Sequence, residues 1–311
     1  MKVFVAGGSG AIGAQLVPQL VDAGHDVVVM TRSESKRPEI RALGASAVVA
    51  DALDAEQVAV AVAQAEPEVI VHQVTAIGTV NMRKFDRDFA LTNRLRREGT
   101  DHLLSAGQAV GISKFVAQSY CVWPYARSGG AVKNEDDPLD ADPAPQMRQS
   151  LAALRHLEEA VTGATWTTGI VLRYGAFYGP GTALNRGGEQ FEMVLQGKFP
   201  LVGDGGGVWS FVHIADAARA TLAAIDRGRR GIYNISDDDP ATVAQWLPEL
   251  AKTLGAKPPR KVPKLVGRLL AGEAAAVMMT EIRGASNRKA RTELGWQPEY
   301  ASWRRGFVES A

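Results

Sequence analysis

The stretch Val3-Phe4-Val5-Ala6-Gly7-Gly8-Ser9-Gly10-Ala11-Ile12-Gly13 decides the fold. Four apolar residues are followed by glycines that fit both the GxGxxG and the GxxGxxG spacing, and a segment of helical composition follows the glycines. Glycines between a strand and a helix permit a tight turn and a close approach of the backbone to a pyrophosphate at the helix N-terminus. The stretch therefore predicts a dinucleotide-binding turn.

Short valine-rich runs alternate with longer helical segments through the first half of the chain, which is typical of a parallel sheet buried on both faces. The predicted strands are residues 3–6, 27–30, 47–50, 69–72, 115–118 and 169–172, and the predicted helices include 11–23, 55–65 and 85–110. We predict an α/β protein with a Rossmann-type, doubly wound parallel sheet in residues 1–172. Segments near 208–235 return to this domain, and residues 173–311 form a smaller substrate-binding part.

Composition narrows the classes of partner. The chain has 35 basic and 34 acidic residues, so no strong overall field attracts nucleic acid or a membrane surface. The single cysteine, Cys121, excludes an internal disulfide, and the five histidines lack metal-site spacing. We expect a cytoplasmic monomer or homodimer that binds a small molecule, no metal, no nucleic acid and no membrane.

The end of the second predicted strand bears on which dinucleotide binds. An NAD site usually has an acidic residue there, whereas this chain has Thr31-Arg32-Ser33. Arg32, assisted by Ser33 and by Lys36 or Arg37, is suited to hold a 2′-phosphate, which favours NADP(H). NAD(H) is the alternative, because a shift of register brings Glu34 towards the ribose.

Further segments follow in a specific order: Asp51-Ala52-Leu53, Asn93 before Gly99-Thr100, FVAQSYCV at 115–122, Leu172-Arg173 before Tyr178-Gly179-Pro180-Gly181, Phe211-Val212-His213-Ile214, and Glu293-Leu294-Gly295-Trp296. Together with the glycine turn, they resemble the extended short-chain dehydrogenases/reductases, the group of NAD-dependent epimerases and dehydratases. The resemblance implies hydride transfer and a cofactor site formed by Gly7, Gly10, Ala11, Ile12, Gly13, Thr31, Arg32, Ser33, Asp51, Ala52, Val74, Asn93, Gln118 and Tyr174.

The chain departs from that family at the proton-transfer residues. The family uses a serine, matched here by Ser119, and a tyrosine with a lysine four residues later. Between residues 126 and 173 there is no tyrosine, and Lys133 is the single lysine. Aligning Ser150 places Met147 and Leu151 at the two positions, and aligning Glu159 places Leu151 and Arg155 there. Neither alignment provides a proton-transfer pair.

Three interpretations stay open. An alternative acid serves a reductase, with Ser119 orienting the substrate and Tyr125 as the best-placed donor; water or a substrate group supplies the proton; or the protein binds NADP(H) without turnover, as a sensor. The most favoured function is NADPH-dependent reduction of a carbonyl or an activated double bond.

The substrate is predicted not to be a nucleotide sugar. In the family, an asparagine and an arginine hold the diphosphate of such substrates, and the matching positions here are Ala176 and Trp209. A diphosphate without polar partners is unfavourable to bury, so an apolar or aromatic small molecule is expected. The predicted substrate residues are Tyr120, Trp123, Met147, Ala176, Phe177 and Trp209. The alternative is a sugar-nucleotide epimerase or dehydratase in which Trp209 only packs the core and Arg186 or Arg283 holds the diphosphate.

Overall fold

The computed structural model describes residues 1–310, and they contain fifteen strands. The strands are β1 (Lys2–Ala6), β2 (Asp26–Thr31), β3 (Ser46–Val49), β4 (Val69–His72), β5 (Lys114–Tyr120), β6 (Val132–Lys133), β7 (Thr168–Tyr174), β8 (Ala176–Tyr178), β9 (Leu201–Val202), β10 (Val208–Trp209), β11 (Phe211–His213), β12 (Gly231–Ile235), β13 (Ala241–Thr242), β14 (Lys261–Val262) and β15 (Gly284–Ala285).

The same residues contain fourteen α-helices. The helices are α1 (Ala11–Asp22), α2 (Arg37–Ala42), α3 (Ala55–Ala65), α4 (Phe85–Asp88), α5 (Ala90–Arg94), α6 (Thr100–Val110), α7 (Arg148–Gly163), α8 (Glu189–Leu195), α9 (Ile214–Arg227), α10 (Val243–Thr253), α11 (Lys264–Ala271), α12 (Glu273–Thr280), α13 (Arg288–Glu293) and α14 (Trp303–Ser310).

Seven strands form one parallel sheet in the order β3-β2-β1-β4-β5-β7-β12. Side chains of alternating strand residues point to opposite faces. Val3 and Val5 pack towards α1 and α9, whereas Phe4 packs towards α3 and α6. The sheet is thus covered by helices on both faces, which confirms the predicted α/β Rossmann-type architecture. Each of the six predicted strands matches the observed one to within two residues at either end.

The second half of the chain divides between two regions. The helix α9 packs on α1, and β12 adds a seventh strand beside β7. The remaining short strands pair outside the central sheet, as β8–β11, β9–β14, β10–β13 and β6–β15. A second apolar cluster around Phe211, Trp246 and Trp303 holds this region together. Among residues 1–310, no helix is long and apolar enough to cross a membrane.

The predicted helix 85–110 is interrupted twice. Phe89 has φ −89° and ψ 1°, which separates α4 from α5. Between α5 and α6, residues Leu95–Gly99 form a π-helical turn. Such a turn accommodates an extra residue within a helix and occurs frequently at functional sites. The periodicity of the sequence did not reveal either interruption.

Candidate active site

The glycine turn joins β1 to α1 at the carboxyl edge of the sheet. Gly7 has φ +89°, and a Cβ atom there would lie 2.8 Å from the backbone of Gln73. A Cβ atom at Gly13 would collide with the carbonyl oxygen of Gly8. Both positions therefore need glycine, because the backbone segments approach too closely for any side chain.

The start of α1 is open to a ligand. Gly10 is the N-cap residue and provides no side-chain cap, and a Cβ atom there would meet only the Gly7 carbonyl oxygen, at 3.4 Å. The unpaired N–H groups of a helix N-terminus attract anions. The loop after β8 also reaches this place, because a Cβ atom at Gly181 would lie 3.7 Å from that of Ala11.

At the end of β2, most of the charged side chains form ion pairs with one another, and Arg32 does not. Glu34 pairs with Arg37 at 2.9 Å, and Lys36 pairs with Glu39 at 2.6 Å. Arg32 is exposed and has neither an ion-pair nor a hydrogen-bond partner within residues 1–310. Arg32 is thus the cation of this loop that is available to bind an external anion, whereas the Glu34 carboxylate is already paired.

The other predicted cofactor residues differ in their surroundings. Asp51 accepts a hydrogen bond from the Leu53 N–H at 3.0 Å, and Val74 donates its N–H to Nδ1 of His72 at 3.3 Å. Asn93 is buried and donates to Ser150 Oγ at 3.0 Å. The Tyr174 ring lies in the core, and burial raises the pKa of Tyr174 to about 12. Ile12, Ser33, Ala52 and Gln118 are buried or half-buried near the sheet edge.

Ser119 and Tyr125 belong to one buried polar network. Ser119 Oγ donates to Glu158 Oε1 at 2.6 Å, and Arg173 donates to both oxygens of Glu158, at 2.8 and 2.6 Å. Arg173 Nη1 also donates to the Tyr125 hydroxyl at 2.9 Å, and that hydroxyl donates to Asn234 Oδ1 at 2.7 Å. Both predicted catalytic hydroxyl groups thus already have protein partners.

The electrostatics of the network favour fixed protonation states. Burial raises the pKa of Tyr125, which keeps its hydroxyl neutral. Burial by itself lowers the pKa of Arg173, but hydrogen bonds and the charge of Glu158 raise it overall. The arrangement is therefore a stable ion pair with satisfied hydroxyl partners, and Tyr125 is fully buried.

The helix α7 shows which glutamate faces the network. Glu158 is buried against Arg173, whereas Glu159, which one of the two alignments used, is exposed. The same spacing counted from Glu158 places Ser150 and Leu154 at the tyrosine and lysine positions. Ser150 donates its hydroxyl hydrogen to Asp86 at 2.6 Å, and Leu154 lies in the apolar core. This register also lacks a tyrosine–lysine pair.

Most of the predicted substrate residues lie in one apolar cluster, which contains Tyr120, Trp123, Met147, Ala176 and Trp209. Phe177 lies apart from them, packed against Tyr174 with 5.4 Å between ring centroids. Trp209 is 4% exposed and donates its indole N–H to the Met278 carbonyl at 3.0 Å. Trp209 is thus a core residue, as the alternative interpretation has it. Arg283, which that interpretation offers for the diphosphate, donates to the Arg127 carbonyl.

Sequence reasoning missed two buried polar residues near the carboxyl end of the sheet. Gln73 follows β4, donates to the Tyr174 hydroxyl at 3.3 Å, and leaves its buried Oε1 atom without a partner in the described chain. Arg96 lies in the π-helical turn and is 6% exposed. Nothing in the run Arg94-Leu95-Arg96-Arg97 distinguishes the buried arginine from its neighbours.

Comparison with protein-family models finds the NAD dependent epimerase/dehydratase family, which matches residues 3–236. Among curated proteins, the chain is 45% identical to a 3-diazoavenalumate denitrifying reductase from Streptomyces sp, over 99% of both chains. It is 26% identical to a 2-alkyl-3-oxoalkanoate reductase from Stenotrophomonas maltophilia, over 82% of this chain and 76% of that protein.

Among solved structures, the fold is similar to that of a UDP-glucose 4-epimerase from Thermotoga maritima. The TM-score is 0.77 at 24% identity, covering 100% of this chain and 97% of the other. At that identity, the likeness concerns the fold alone.

Proposed function

Because the chain belongs to the NAD-dependent epimerase/dehydratase family, we propose that it is an NADPH-dependent reductase of small, mainly apolar substrates. The observation that carries this proposal is the combination of an open, uncapped α1 N-terminus with the unpaired Arg32 at the end of β2. Reductase activity is supported by the 45% identical relative, which is named as a reductase and is covered over almost its full length.

The residues at the sheet edge fit a dinucleotide. The N–H groups at Gly10–Gly13 are suited to the pyrophosphate, and Gly10 leaves space where a side chain would project. Arg32 is suited to the 2′-phosphate, and Asp51 and Ala52 are proposed to contact the adenine. When bound, NADPH supplies the hydride, and the protein supplies binding, orientation and exclusion of water.

The hydroxyl network bears on the chemistry of the substrate. Reduction of a carbonyl consumes one hydride and one proton, whereas replacement of a diazonium group by hydrogen consumes one hydride, releases N₂ and takes up no net proton. Ser119 and Tyr125 are buried and hydrogen-bonded, and the α7 positions considered for a proton-transfer pair are occupied by Ser150 and Leu154. A diazonium group is therefore the proposed acceptor, and the 45% identical relative is named as a denitrifying reductase of a diazo compound.

The substrate is proposed to lie against the apolar cluster rather than to be a nucleotide sugar. Ala176 offers no polar atom beyond its backbone, and the indole N–H of Trp209 is occupied by a backbone carbonyl. A diphosphate at these positions would be desolvated without a partner, at a cost on the order of several kcal/mol for each unpaired charge. An aromatic molecule matches the ring-rich wall better.

Carbonyl reduction is a second candidate, and one observation favours it. Tyr120 is the last residue of β5 and is half-buried. Its hydroxyl has no hydrogen-bond partner within residues 1–310, so it is free to donate a proton. The similarity to a 2-alkyl-3-oxoalkanoate reductase supports the same chemistry. In this candidate Tyr120, rather than Tyr125, transfers the proton.

Oxidation of NADPH by the purified protein tests these functions. The panel contains carboxy-substituted benzenediazonium ions, aromatic ketones, enones and UDP- and dTDP-sugars, each with an enzyme-free control. The proposal expects turnover with diazonium ions, and the second candidate expects it with ketones. Tight NADPH binding with no turnover on any member supports a sensor instead, and selective turnover or thermal stabilisation by a nucleotide sugar contradicts the substrate proposal.

A further inference from the structure

Arg96 is a buried cation without an anion. Its side chain is 6% exposed, and within residues 1–310 its guanidinium has no carboxylate within 4 Å and no hydrogen-bond acceptor. The guanidinium lies over the Phe89 ring, 5.9 Å from Cζ to the ring centroid, and the charge of Glu158 acts on it only at longer range. Burial lowers the pKa of Arg96 to about 10, so the group is still charged at neutral pH. An unpaired buried charge is unfavourable, which suggests that a ligand supplies the missing anion.

The backbone of Arg96 is fixed beside the carboxyl end of β4. The Thr100 hydroxyl donates to the Arg96 carbonyl at 2.7 Å, and the same hydroxyl accepts from Nε2 of His72 at 3.1 Å. His72 is the last residue of β4. The π-helical turn that carries Arg96 also packs on α7. Arg96 thus lies between the sheet edge and α7, on the side where ligands of such sheets bind.

Tyr120 is a second polar side chain on the same side of the sheet as Arg96. It ends β5, which is hydrogen-bonded to β4, and its ring packs on the apolar cluster together with Phe89. Burial raises the pKa of Tyr120, while the charge of Arg96 acts in the opposite direction. The hydroxyl therefore stays protonated and can donate. The apolar cluster thus has one polar corner, which is formed by the Arg96 guanidinium and the Tyr120 hydroxyl.

The phosphates of a dinucleotide do not account for this corner. The pyrophosphate site is at the start of α1, after β1, and the 2′-phosphate site is after β2. In the sheet order, β1 lies between β2 and β4, and β5 is on the far side of β4. Arg96 and Tyr120 are therefore displaced from the phosphates across the sheet, towards the end where a hydride acceptor must bind.

We propose that Arg96 and Tyr120 bind a carboxylate of the substrate, so that the protein selects small aromatic acids over neutral aromatic molecules. A planar guanidinium pairs with a carboxylate through two parallel N–H···O bonds, and the Tyr120 hydroxyl adds a third donor. The inference rests on the proposed function, because it needs an acceptor bound beyond the nicotinamide end of the dinucleotide. Neither residue transfers a hydride or proton in this role.

Calorimetry with cinnamate and its neutral analogue cinnamamide, on protein saturated with NADP⁺, tests the inference. The wild type is expected to bind cinnamate at least tenfold more tightly, and Arg96→Met is expected to remove this preference. Arg94→Met is the matched control, because Arg94 lies on the same helical segment but is exposed and pairs with Glu98. Without ligand, Arg96→Met should melt at the same or a higher temperature, since it removes an unpaired buried charge.

Three results overturn the inference: equal binding of the acid and the amide by the wild type, a preference that persists in Arg96→Met, or a lower melting temperature of Arg96→Met with equal weakening for both probes. The last result assigns Arg96 a structural role. NADPH titration of the wild type separates the two proposals. A protein that binds NADPH without preferring cinnamate contradicts only the inference, whereas a protein that binds no NADPH contradicts the proposed function.

Discussion

Ser119 donates its hydroxyl hydrogen to Glu158, with 2.6 Å between Oγ and Oε1, and the same carboxylate forms a two-point ion pair with Arg173. The serine at the end of β5 is thereby tied to the inner face of α7. It connects a central strand to the helix that covers it, and its hydroxyl has a charged partner before any substrate arrives. The relationship makes this serine a part of the framework that shapes the site.

Replacing Glu158 by glutamine should lower the free energy of unfolding by about 3 kcal/mol, because it leaves Arg173 as an uncompensated buried charge. Glu159→Gln is the matched control, since Glu159 is adjacent in sequence but exposed, and its effect should stay within about 0.5 kcal/mol. Urea denaturation measures both. Equal effects of the two substitutions would show that the ion pair is not important for stability.

Tyr125→Phe should lower the free energy of unfolding by about 1–3 kcal/mol, because Arg173 Nη1 and Asn234 Oδ1 each lose a partner. The rate of NADPH oxidation should stay within about tenfold of the wild-type rate, since general acid catalysis is typically worth at least a hundredfold. Steady-state kinetics of Tyr125→Phe and Tyr120→Phe provide the comparison. A loss of a hundredfold or more in the Tyr125 variant alone would identify Tyr125 as the proton donor.

Arg32→Ala should weaken NADPH binding about 10- to 100-fold and leave NADH binding unchanged, because a charge-assisted hydrogen bond contributes about 1.5–3 kcal/mol. Arg37→Ala serves as the control, since Arg37 is already paired with Glu34. Calorimetric titration with both nucleotides gives the affinities. If NADH binds as tightly as NADPH to the wild type, the assignment of the 2′-phosphate to Arg32 fails.

His72 should make stability fall on acidification. Burial lowers the pKa of His72 to about 4, below the 6.5 of the unfolded chain, so the folded state resists protonation. Above pH 6.5, His72 does not lower the free energy of unfolding. As the pH falls towards 4, the unfolded chain takes up a proton that folded His72 does not, and the free energy of unfolding falls by about 3 kcal/mol, at roughly 1.4 kcal/mol per pKa unit. His72 Nδ1 accepts the Val74 N–H, and this hydrogen bond is lost only near pH 4 and below, where the folded-state imidazole takes up a proton.

His72→Gln is the comparison for this pH dependence. Its unfolding free energy, measured by urea denaturation between pH 7 and 4, should decline less steeply than that of the wild type. Parallel curves for the two proteins would mean that other groups account for the acid sensitivity, and the role of His72 would have to be abandoned.

The sheet could be predicted from sequence because its strands are continuous apolar runs, and parallel strands buried on both faces need little else to identify them. The orientation of Glu158 could also have been predicted from the sequence. Counted from Leu151, Leu154 is three residues on, Glu158 seven and Val161 ten, so all four share one helical face. Glu159 does not lie on that face. The network is thus readable in part once helical spacing is applied to every glutamate.

The burial of Arg96 and the packing of Trp209 were harder to predict from the sequence. The π-helical turn at Leu95–Gly99 changes which side chains face inward, and no simple residue pattern predicts such a turn. Trp209 reaches the core through contacts with Phe211 and Trp246, which are brought together by the pairing of β10 with β13 and by α10. Contacts between segments distant in sequence decide both cases, and one sequence does not specify them.

The central claim, reduction of a group that requires no proton from the protein, is tested most directly by the stoichiometry of turnover. Protons taken up and N₂ released per NADPH oxidised are measured in weak buffer with 4-carboxybenzenediazonium, against an enzyme-free reaction. The account predicts enzyme-dependent oxidation with one N₂ released and no net proton uptake. Oxidation no faster than the enzyme-free reaction, together with turnover of ketones that takes up one proton per NADPH, would contradict it.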